Sequence, residues 1–240
     1  LEATDGKTIS LKNITADPTT IDSTGIKTTI DGTVEAQNGT GVSFTLTTGS
    51  DVFEGKAGND TITGTEATYS KTADIITDES IYDNDTFNYK TVSTNTVVLK
   101  TENIENINID LVKTGPASVN LTAVTHDGDG SKVTISSSNS MFNGKVAVTG
   151  VDNQTIVAGA KVKELDVTAA TKAKIDAGSA TKVKVTTATD VELKTNGDIT
   201  LDVAVNTKAV INAAANSTIT LASTVAVSKI EIKGSGVTLK

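Results

Sequence analysis

The sequence predicts an all-β protein whose larger part is a parallel β-solenoid. Threonine and other strand- and turn-forming residues dominate the 240-residue chain, and aromatic residues make up only 3%, too few to build a thick core. After residue 116, pairs of apolar residues separated by one position recur, from residue 173 onward mostly every eight to ten residues. That spacing allows one short strand and a corner but leaves no room for a crossover helix.

We expect these apolar pairs to point inward and to stack on the equivalent pair one coil away. The predicted pairs are Val119/Leu121, Val133/Ile135, Val146/Val148, Leu165/Val167, Ala173/Ile175, Val183/Val185, Val191/Leu193, Ile199/Leu201, Ala209/Ile211, Ile219/Leu221, Ile230/Ile232 and Val237/Leu239. Either two or three such strands per coil fit the spacing. The alternative is an antiparallel sandwich with hairpin turns.

The chain divides into three predicted segments. Near its start, dipeptides such as Asp5-Gly6, Asp31-Gly32 and Asn38-Gly39 favour tight turns between short strands. Pro116 marks the best candidate boundary further on, because the apolar pairs become regular after it. The segments are a short-strand and hairpin region at 1–45, a calcium-turn module at 46–115 and the β-solenoid at 116–240.

Composition excludes several classes of protein and partner. The chain has no cysteine, so disulfides, thiolate zinc sites and cysteine nucleophiles are excluded. It contains no arginine and carries a net charge of -8, which argues against nucleic acid as a partner. No apolar run approaches the roughly 18 residues of a membrane span.

We expect no enzymatic activity. His126 is the only histidine, and no Gly-x-Ser-x-Gly motif accompanies it. Some parallel β-helices act on polysaccharides, but this chain lacks the tryptophan platforms and basic clamps of a sugar site. Glu102 and Glu105, three positions apart on one predicted strand, would point to opposite faces. Four of the aromatic residues, Tyr69, Tyr82, Phe87 and Tyr89, are expected to plug the junction between the calcium turns and the repeats.

The most specific motif is a nine-residue repeat within residues 46–64. Stacked at that period, Gly49 lies over Gly58, Asp51 over Asp60, and Phe53 over Ile62. The second unit nearly matches the nonapeptide Gly-Gly-x-Gly-x-Asp-x-apolar-x, with Lys56 at its second glycine position. In such turns, aspartate and backbone oxygens bind calcium, and hard oxygen ligands are all that this segment offers.

Two later stretches extend the motif. In residues 73–89, Asp83-Asn84-Asp85 replaces the glycine-rich turn and Thr86-Phe87-Asn88-Tyr89 continues as a strand, while residues 103–109 read as a closing strand. Together, residues 42–112 resemble a module of RTX-type surface-layer (S-layer) proteins and large adhesins of Gram-negative bacteria.

This resemblance implies an extracellular structural protein. Such proteins leave the cell by type I secretion, fold when calcium binds, attach to lipopolysaccharide through another region and assemble into a two-dimensional lattice. The competing expectation is an adhesin segment that binds a ligand. The chain begins at Leu1 without methionine, and we interpret it as an excised piece with any targeting signal elsewhere. The family's calcium-binding positions correspond here to Gly49, Asp51, Gly58, Asn59, Asp60, Asp83 and Asp85.

Overall fold

A computed structural model gives the fold of the chain. It describes the backbone at 10–11, 21–23, 26–29 and 33–36, and then residues 41–93, 95–203, 207–222 and 228–240. Within these ranges, every regular element is a β-strand. The part of the chain that the structure describes contains no helix able to cross a membrane.

The described residues form 24 short strands, most of them four to six residues long. In chain order they are β1 (Ser10–Leu11), β2 (Ile21–Ser23), β3 (Ile26–Thr29), β4 (Thr33–Ala36), β5 (Ser43–Thr45), β6 (Val52–Gly55), β7 (Thr61–Thr65), β8 (Ile75–Asp78), β9 (Thr86–Thr91), β10 (Val97–Glu102), β11 (Asn106–Leu111), β12 (Ala117–Thr125), β13 (Lys132–Ser136), β14 (Lys145–Val151), β15 (Thr155–Ala158), β16 (Glu164–Ala169), β17 (Lys172–Asp176), β18 (Lys182–Thr186), β19 (Asp190–Thr195), β20 (Ile199–Val203), β21 (Lys208–Ala213), β22 (Thr218–Leu221), β23 (Lys229–Lys233) and β24 (Thr238–Leu239).

Successive strands alternate between two sheets, which confirms the parallel β-solenoid. From β4 onward, even-numbered strands belong to one sheet and odd-numbered strands to the other. Each strand therefore pairs with the strand two positions along the chain, as β17 does with β19 and β18 with β20, in parallel. Two strands make one coil, and the antiparallel sandwich is wrong.

The chain forms two compact units. The first comprises residues 1–91, 99–108 and 124–131, and the second comprises 92–98, 109–123 and 132–240. In the first unit, β2, β3 and β4 form antiparallel hairpins before β4 pairs with β6 in parallel. The Asp-Gly and Asn-Gly dipeptides predicted to form those turns lie outside the described residues. The division after residues 45 and 115 stays a prediction.

The second unit buries its apolar pairs in columns that run from strand to strand. In the odd-numbered sheet, Val133, Ile156, Ile175, Leu193 and Ile211 occupy successive positions of one column, each in register with the next. All five are buried. The predicted pairs are buried as far as Ile219, and the residues of the pairs that follow are only partly buried or exposed. The sequence alternation thus predicts the core up to the last coil.

An aromatic cluster fills the first unit. Phe87 is in register with Ile62, and its ring centroid lies 5.7 Å from that of Tyr69 and 6.1 Å from that of Tyr89. The Tyr69 hydroxyl accepts a hydrogen bond from the backbone N–H of Lys100 at 2.6 Å. Tyr82 does not join this cluster, because it is 92% exposed, so the prediction that it plugs the junction between the calcium turns and the repeats is wrong.

We expect Phe87→Ala to lower the free energy of unfolding by roughly 3–5 kcal/mol, because it leaves a cavity between two tyrosine rings and Ile62. Urea denaturation would measure this loss. Tyr82→Ala is the matched control, and its effect should stay within about 0.5 kcal/mol because the ring is exposed. Equal effects of the two variants would contradict the packing described here.

Candidate metal centre

Acidic residues stand directly before successive strands of the odd-numbered sheet. Asp60 precedes β7, Asp85 precedes β9 and Glu105 precedes β11. Each uses one carboxylate oxygen to accept a hydrogen bond from an earlier coil. The N–H of Val42 donates a hydrogen bond to Asp60 Oδ1 at 2.6 Å. In the same way, the N–H of Asp60 donates to Asp85 Oδ1 at 2.7 Å, and the N–H of Asp85 donates to Glu105 Oε2 at 2.7 Å. This ladder holds the carboxylates in line along one edge of the unit.

The second oxygens of these aspartates converge on another carboxylate. Asp78 ends β8, in the even-numbered sheet, and its side chain points inward on the same face as Ile76. Asp60, Asp78 and Asp85 each place one carboxylate oxygen within 4.8 Å of the others. All three residues are buried, with exposed fractions of 1%, 3% and 0%.

Apart from one another, the converging oxygens have no hydrogen-bond partner in the described residues. The unpaired atoms are Oδ2 of Asp60, Asp78 and Asp85 and both carboxylate oxygens of Asp83. Burying a charged oxygen without a partner is costly, and proteins avoid it unless a cation or a proton compensates. The cluster is therefore a candidate site for a cation.

Burial makes the charged form of these groups costly. Desolvation is the main cause that raises the pKa of Asp60 from 3.8 to about 7. The hydrogen bond from Val42 lowers this pKa, whereas repulsion from Asp78 and Asp83 raises it further. Desolvation also raises the pKa of Asp78 and of Asp85, and repulsion among the clustered acids again contributes. A divalent cation between these oxygens would remove both penalties.

Gly55 makes room for the cluster. It lies in register with Asp78, one coil earlier, and a Cβ built on it would stand 1.8 Å from Asp78 Oδ2 and 3.0 Å from Asp60 Oδ2. Only a residue without a side chain allows Asp78 to hold its present position.

We expect Gly55→Ala to displace the Asp78 carboxylate and to destabilise the fold by about 1–3 kcal/mol, the usual cost of overpacking a well-packed core. It should also abolish stabilisation by calcium. Thermal unfolding in millimolar calcium and in chelator measures both effects. Gly197→Ala is the control, since no heavy atom lies within 4 Å of the added Cβ. A Gly55→Ala protein with an undiminished calcium response would contradict this geometry.

A second group of oxygens adjoins the first through Asp85. Asp83, Asp85 and Glu105 also place one carboxylate oxygen each within 4.8 Å of the others. Both Glu105 oxygens are engaged, Oε2 by Asp85 N–H and Oε1 by His126 Nε2 at 3.0 Å. His126 Nδ1 in turn accepts a hydrogen bond from the backbone N–H of Gly128 at 2.9 Å. His126 thus orients Glu105 at the edge of the cluster.

A turn at Asn103 sets the position of Glu105. Asn103 adopts a left-handed conformation with φ of 54°, which asparagine tolerates better than most residues. The side-chain amide of Asn103 donates a hydrogen bond to the backbone carbonyl of Asp78 at 3.1 Å, and its oxygen accepts a hydrogen bond from the backbone N–H of Asp127 at 2.8 Å. The turn separates β10 from β11, so the prediction that Glu102 and Glu105 share a strand is wrong, as is that of a continuous closing strand over 103–109.

The structure brings together only part of the predicted site. Asp60, Asp83 and Asp85 join the cluster. Asp51 lies at a different turn, where Thr47 N–H donates to its Oδ2 at 2.6 Å and Thr47 Oγ1 to its Oδ1 at 2.9 Å. Its neighbour one coil along is Asp74, whose Oδ1 accepts Asp51 N–H at 2.9 Å.

The predicted glycine and asparagine positions serve the turns. Gly58 has φ of 106°, a conformation that favours glycine. Gly49 and Asn59 are exposed, and Gly49 N–H donates to Thr47 Oγ1 at 3.1 Å. None of these three shares the cluster of carboxylates.

The nine-residue stacking predicted from the repeat is wrong. Because nine residues make half a coil, β6 and β7 lie in different sheets. Phe53 is in register with Ile76, not with Ile62. Asp60 bonds across 25 residues to Asp85, not to Asp51.

Sequence reasoning missed Asp78 and Glu105. Alternation places Asp78 on the inward side of β8 with Ile76. An acidic residue at a position expected to be in the core is a sequence signal that could have identified Asp78 as part of the site. Glu105 occupies the same place before its strand as Asp60 and Asp85, in Glu105-Asn106-Ile107. Comparing the residues that precede each strand would have found it.

No family model, curated protein or solved structure matches this chain. The fold and the carboxylate cluster therefore define its class: a β-solenoid with a candidate centre for a divalent cation.

The two groups of acids offer carboxylate oxygens, which are hard ligands. Calcium takes six to eight oxygen ligands at about 2.3–2.6 Å, and each group brings three carboxylate oxygens within 4.8 Å of one another. Zinc and copper favour nitrogen or sulfur ligands, whereas the three acids of each group offer only oxygen. Magnesium demands a tighter octahedron and usually retains several waters, which a buried group of carboxylates suits poorly.

Proposed function

We propose that this chain is a calcium-stabilised structural segment of an extracellular bacterial surface layer that assembles with copies of itself. The observation that carries the proposal is the convergence of buried, unpaired oxygens from Asp60, Asp78 and Asp85. Bound calcium would join the connection before β7, which holds Asp60, to the connection between β8 and β9, which Asp78 and Asp85 flank. The ion would then act as a clamp on the folded state, because the unfolded chain cannot bring these oxygens together.

The fold supports a load-carrying role. Parallel strands pair in register from coil to coil, and each coil stacks its apolar residues on those of the next. Such a core is built by repetition, because each coil stacks on its neighbours in one continuous column, which suits a lattice element. The resemblance of residues 42–112 to RTX-type surface-layer modules points the same way. On the basis of this resemblance, the proposal also includes type I secretion and, through another region, attachment to lipopolysaccharide.

An extracellular location suits the site. Calcium-binding modules outside the cell have dissociation constants of roughly 10⁻⁴–10⁻³ M, so they fill at the millimolar calcium of the surroundings. Without calcium, the clustered carboxylates would destabilise the fold, so the chain would remain incompletely folded before export. Outside the cell, calcium would bind and stabilise it.

Isothermal titration calorimetry with calcium and with magnesium tests the binding. We expect a calcium dissociation constant on the order of 10⁻⁴ M or lower and magnesium binding at least about tenfold weaker. Absence of calcium binding would overturn the metal part of the proposal.

Electron microscopy of concentrated protein with calcium tests the assembly. Ordered sheets or filaments support a surface-layer element. A chain that stays dispersed and binds a glycan would instead indicate an adhesin segment and overturn the structural assignment.

A further inference from the structure

Five acidic side chains meet at the candidate metal centre, in two groups that share one residue. Asp60, Asp78 and Asp85 form the first group, and Asp83, Asp85 and Glu105 form the second. Within each group, one carboxylate oxygen of every residue lies within 4.8 Å of the others, but the five acids do not join into a single group. A calcium ion with ligands at about 2.3–2.6 Å has a shell roughly 5 Å across, so it matches one group and not the set of five.

Asp85 connects the two groups. It is fully buried, and its Oδ2 has no hydrogen-bond partner in the described residues apart from the Asp78 carboxylate. Its Oδ1 accepts the N–H of Asp60, which holds the carboxylate in place. A carboxylate offers about four lone-pair sites, so Asp85 can serve one cation in each group.

Asp83 brings to the second group two oxygens that the first group does not use. Both of its carboxylate oxygens are buried and have no hydrogen-bond partner in the described residues. Asp83 is not a member of the first group. A cation held by the first group alone would therefore leave both Asp83 oxygens buried and without a ligand, which is costly.

Glu105 keeps its negative charge beside His126. His126 Nδ1 accepts the N–H of Gly128, so the ring proton lies on Nε2, which donates to Glu105 Oε1 at 3.0 Å. The imidazole is neutral in this arrangement, and it orients the carboxylate without cancelling its charge. Each Glu105 oxygen accepts one hydrogen bond and retains a lone pair for a cation.

The charge of the five acids exceeds what one divalent cation balances. Fully ionised, the two groups together carry five negative charges, because they contain five different carboxylates. One divalent cation leaves three of these charges uncompensated, whereas two divalent cations leave one. Like charges held together away from water are unfavourable, so the folded chain gains from a second cation.

We propose that the centre binds two calcium ions, one in each group, with Asp85 as a ligand to both. This inference rests on the proposed function for the identity of the ion, and it adds a second site and the residue that joins the two. The first ion holds Asp85 in its deprotonated form, so the second ion meets a ligand that is already ionised. Loss of Asp85 should therefore remove both ions, whereas loss of Asp83 should remove only the second.

Native mass spectrometry of the full chain in calcium counts the bound ions, and isothermal titration calorimetry gives the stoichiometry in solution. The wild type should hold two calcium ions, Asp83→Asn one and Asp85→Asn none. Asp127→Asn is the matched control, because Asp127 is exposed, follows His126 directly and lies outside both groups, and it should keep two ions. Circular dichroism checks that the variants fold. Glu105→Gln, which keeps an oxygen for the Asp85 N–H, replaces Asp83→Asn should that variant fail to fold.

A wild type that binds a single ion and keeps its thermal shift overturns the second site and leaves the calcium clamp in place. Two ions that survive Asp83→Asn or Glu105→Gln overturn the second site as well. So does the loss of an ion in Asp127→Asn, since the count would then follow net charge instead of the two groups. A wild type that binds no calcium overturns the clamp of the proposed function together with this inference.

Discussion

Chelating calcium is expected to lower the midpoint of thermal unfolding of this chain by about 5–10 °C. An ion that binds only the folded state stabilises it by about 2.7 kcal/mol at a hundredfold excess over its dissociation constant. For a chain of this size, each kcal/mol shifts the midpoint by roughly 2–4 °C. Differential scanning calorimetry in about 10 mM calcium, a hundredfold excess over a dissociation constant of about 10⁻⁴ M, and in chelator measures the difference.

Two variants separate the ion from a general effect of acidic residues. Asp85→Asn removes a charge from both groups of converging oxygens and should abolish the calcium shift. Asp51→Asn is the matched control, because Thr47 occupies both oxygens of that carboxylate and Asp51 lies outside the cluster. It should lower stability by about 1 kcal/mol, as the loss of a turn hydrogen bond does, and keep the full calcium response. A calcium shift that survives Asp85→Asn, or one that Asp51→Asn removes, contradicts the assignment.

In chelator, the free energy of unfolding is expected to fall as pH rises from about 4 to above 7. Burial raises the pKa of Asp60 from 3.8 to about 7, so the folded state holds a proton that the unfolded chain has already lost. A raised pKa of this kind favours folding below the unfolded value of 3.8, and that advantage disappears as pH passes the folded value. Each unit of pKa shift corresponds to about 1.4 kcal/mol, so the total loss is on the order of several kcal/mol.

Saturating calcium should remove or reverse this trend. The ion binds the deprotonated carboxylates, so its affinity rises with pH while the metal-free fold weakens. Urea denaturation at a series of pH values, with and without calcium, gives the two profiles. Asp60→Asn keeps an oxygen to accept the Val42 N–H but cannot titrate, so it should make the profile in chelator shallower. The slope that remains comes from Asp78 and Asp85, whose pKa values burial also raises. Parallel profiles with and without calcium would show that the titrating groups are not the ion's ligands.

The two aspartates of the nine-residue repeat show why sequence similarity misjudged the site. Asp51 and Asp60 have nearly the same neighbours in the chain, yet only Asp60 meets other acids with an oxygen to spare. At the turn that holds Asp51, Thr47 occupies both of its oxygens, and Asp74 uses its two oxygens on Asp51 N–H and Ser70 N–H. Local sequence thus predicted the turns, and the hydrogen bonds around each turn decided which acids had an oxygen left for a ligand.

Alternation by itself determined which side chains of each strand are buried, and the short spacing of the apolar pairs favoured a parallel β-solenoid over a sandwich. Successive side chains of a strand point to opposite faces whatever lies elsewhere in the chain, so pairs such as Val191/Leu193 identify the core directly. Only the tertiary structure decided which carboxylates meet. Asp60 bonds across 25 residues to Asp85, and Asp85 across 20 residues to Glu105, because each coil has its own loop lengths. Which corners meet depends on the summed lengths of all the loops and strands between them. No local sequence pattern contains that sum.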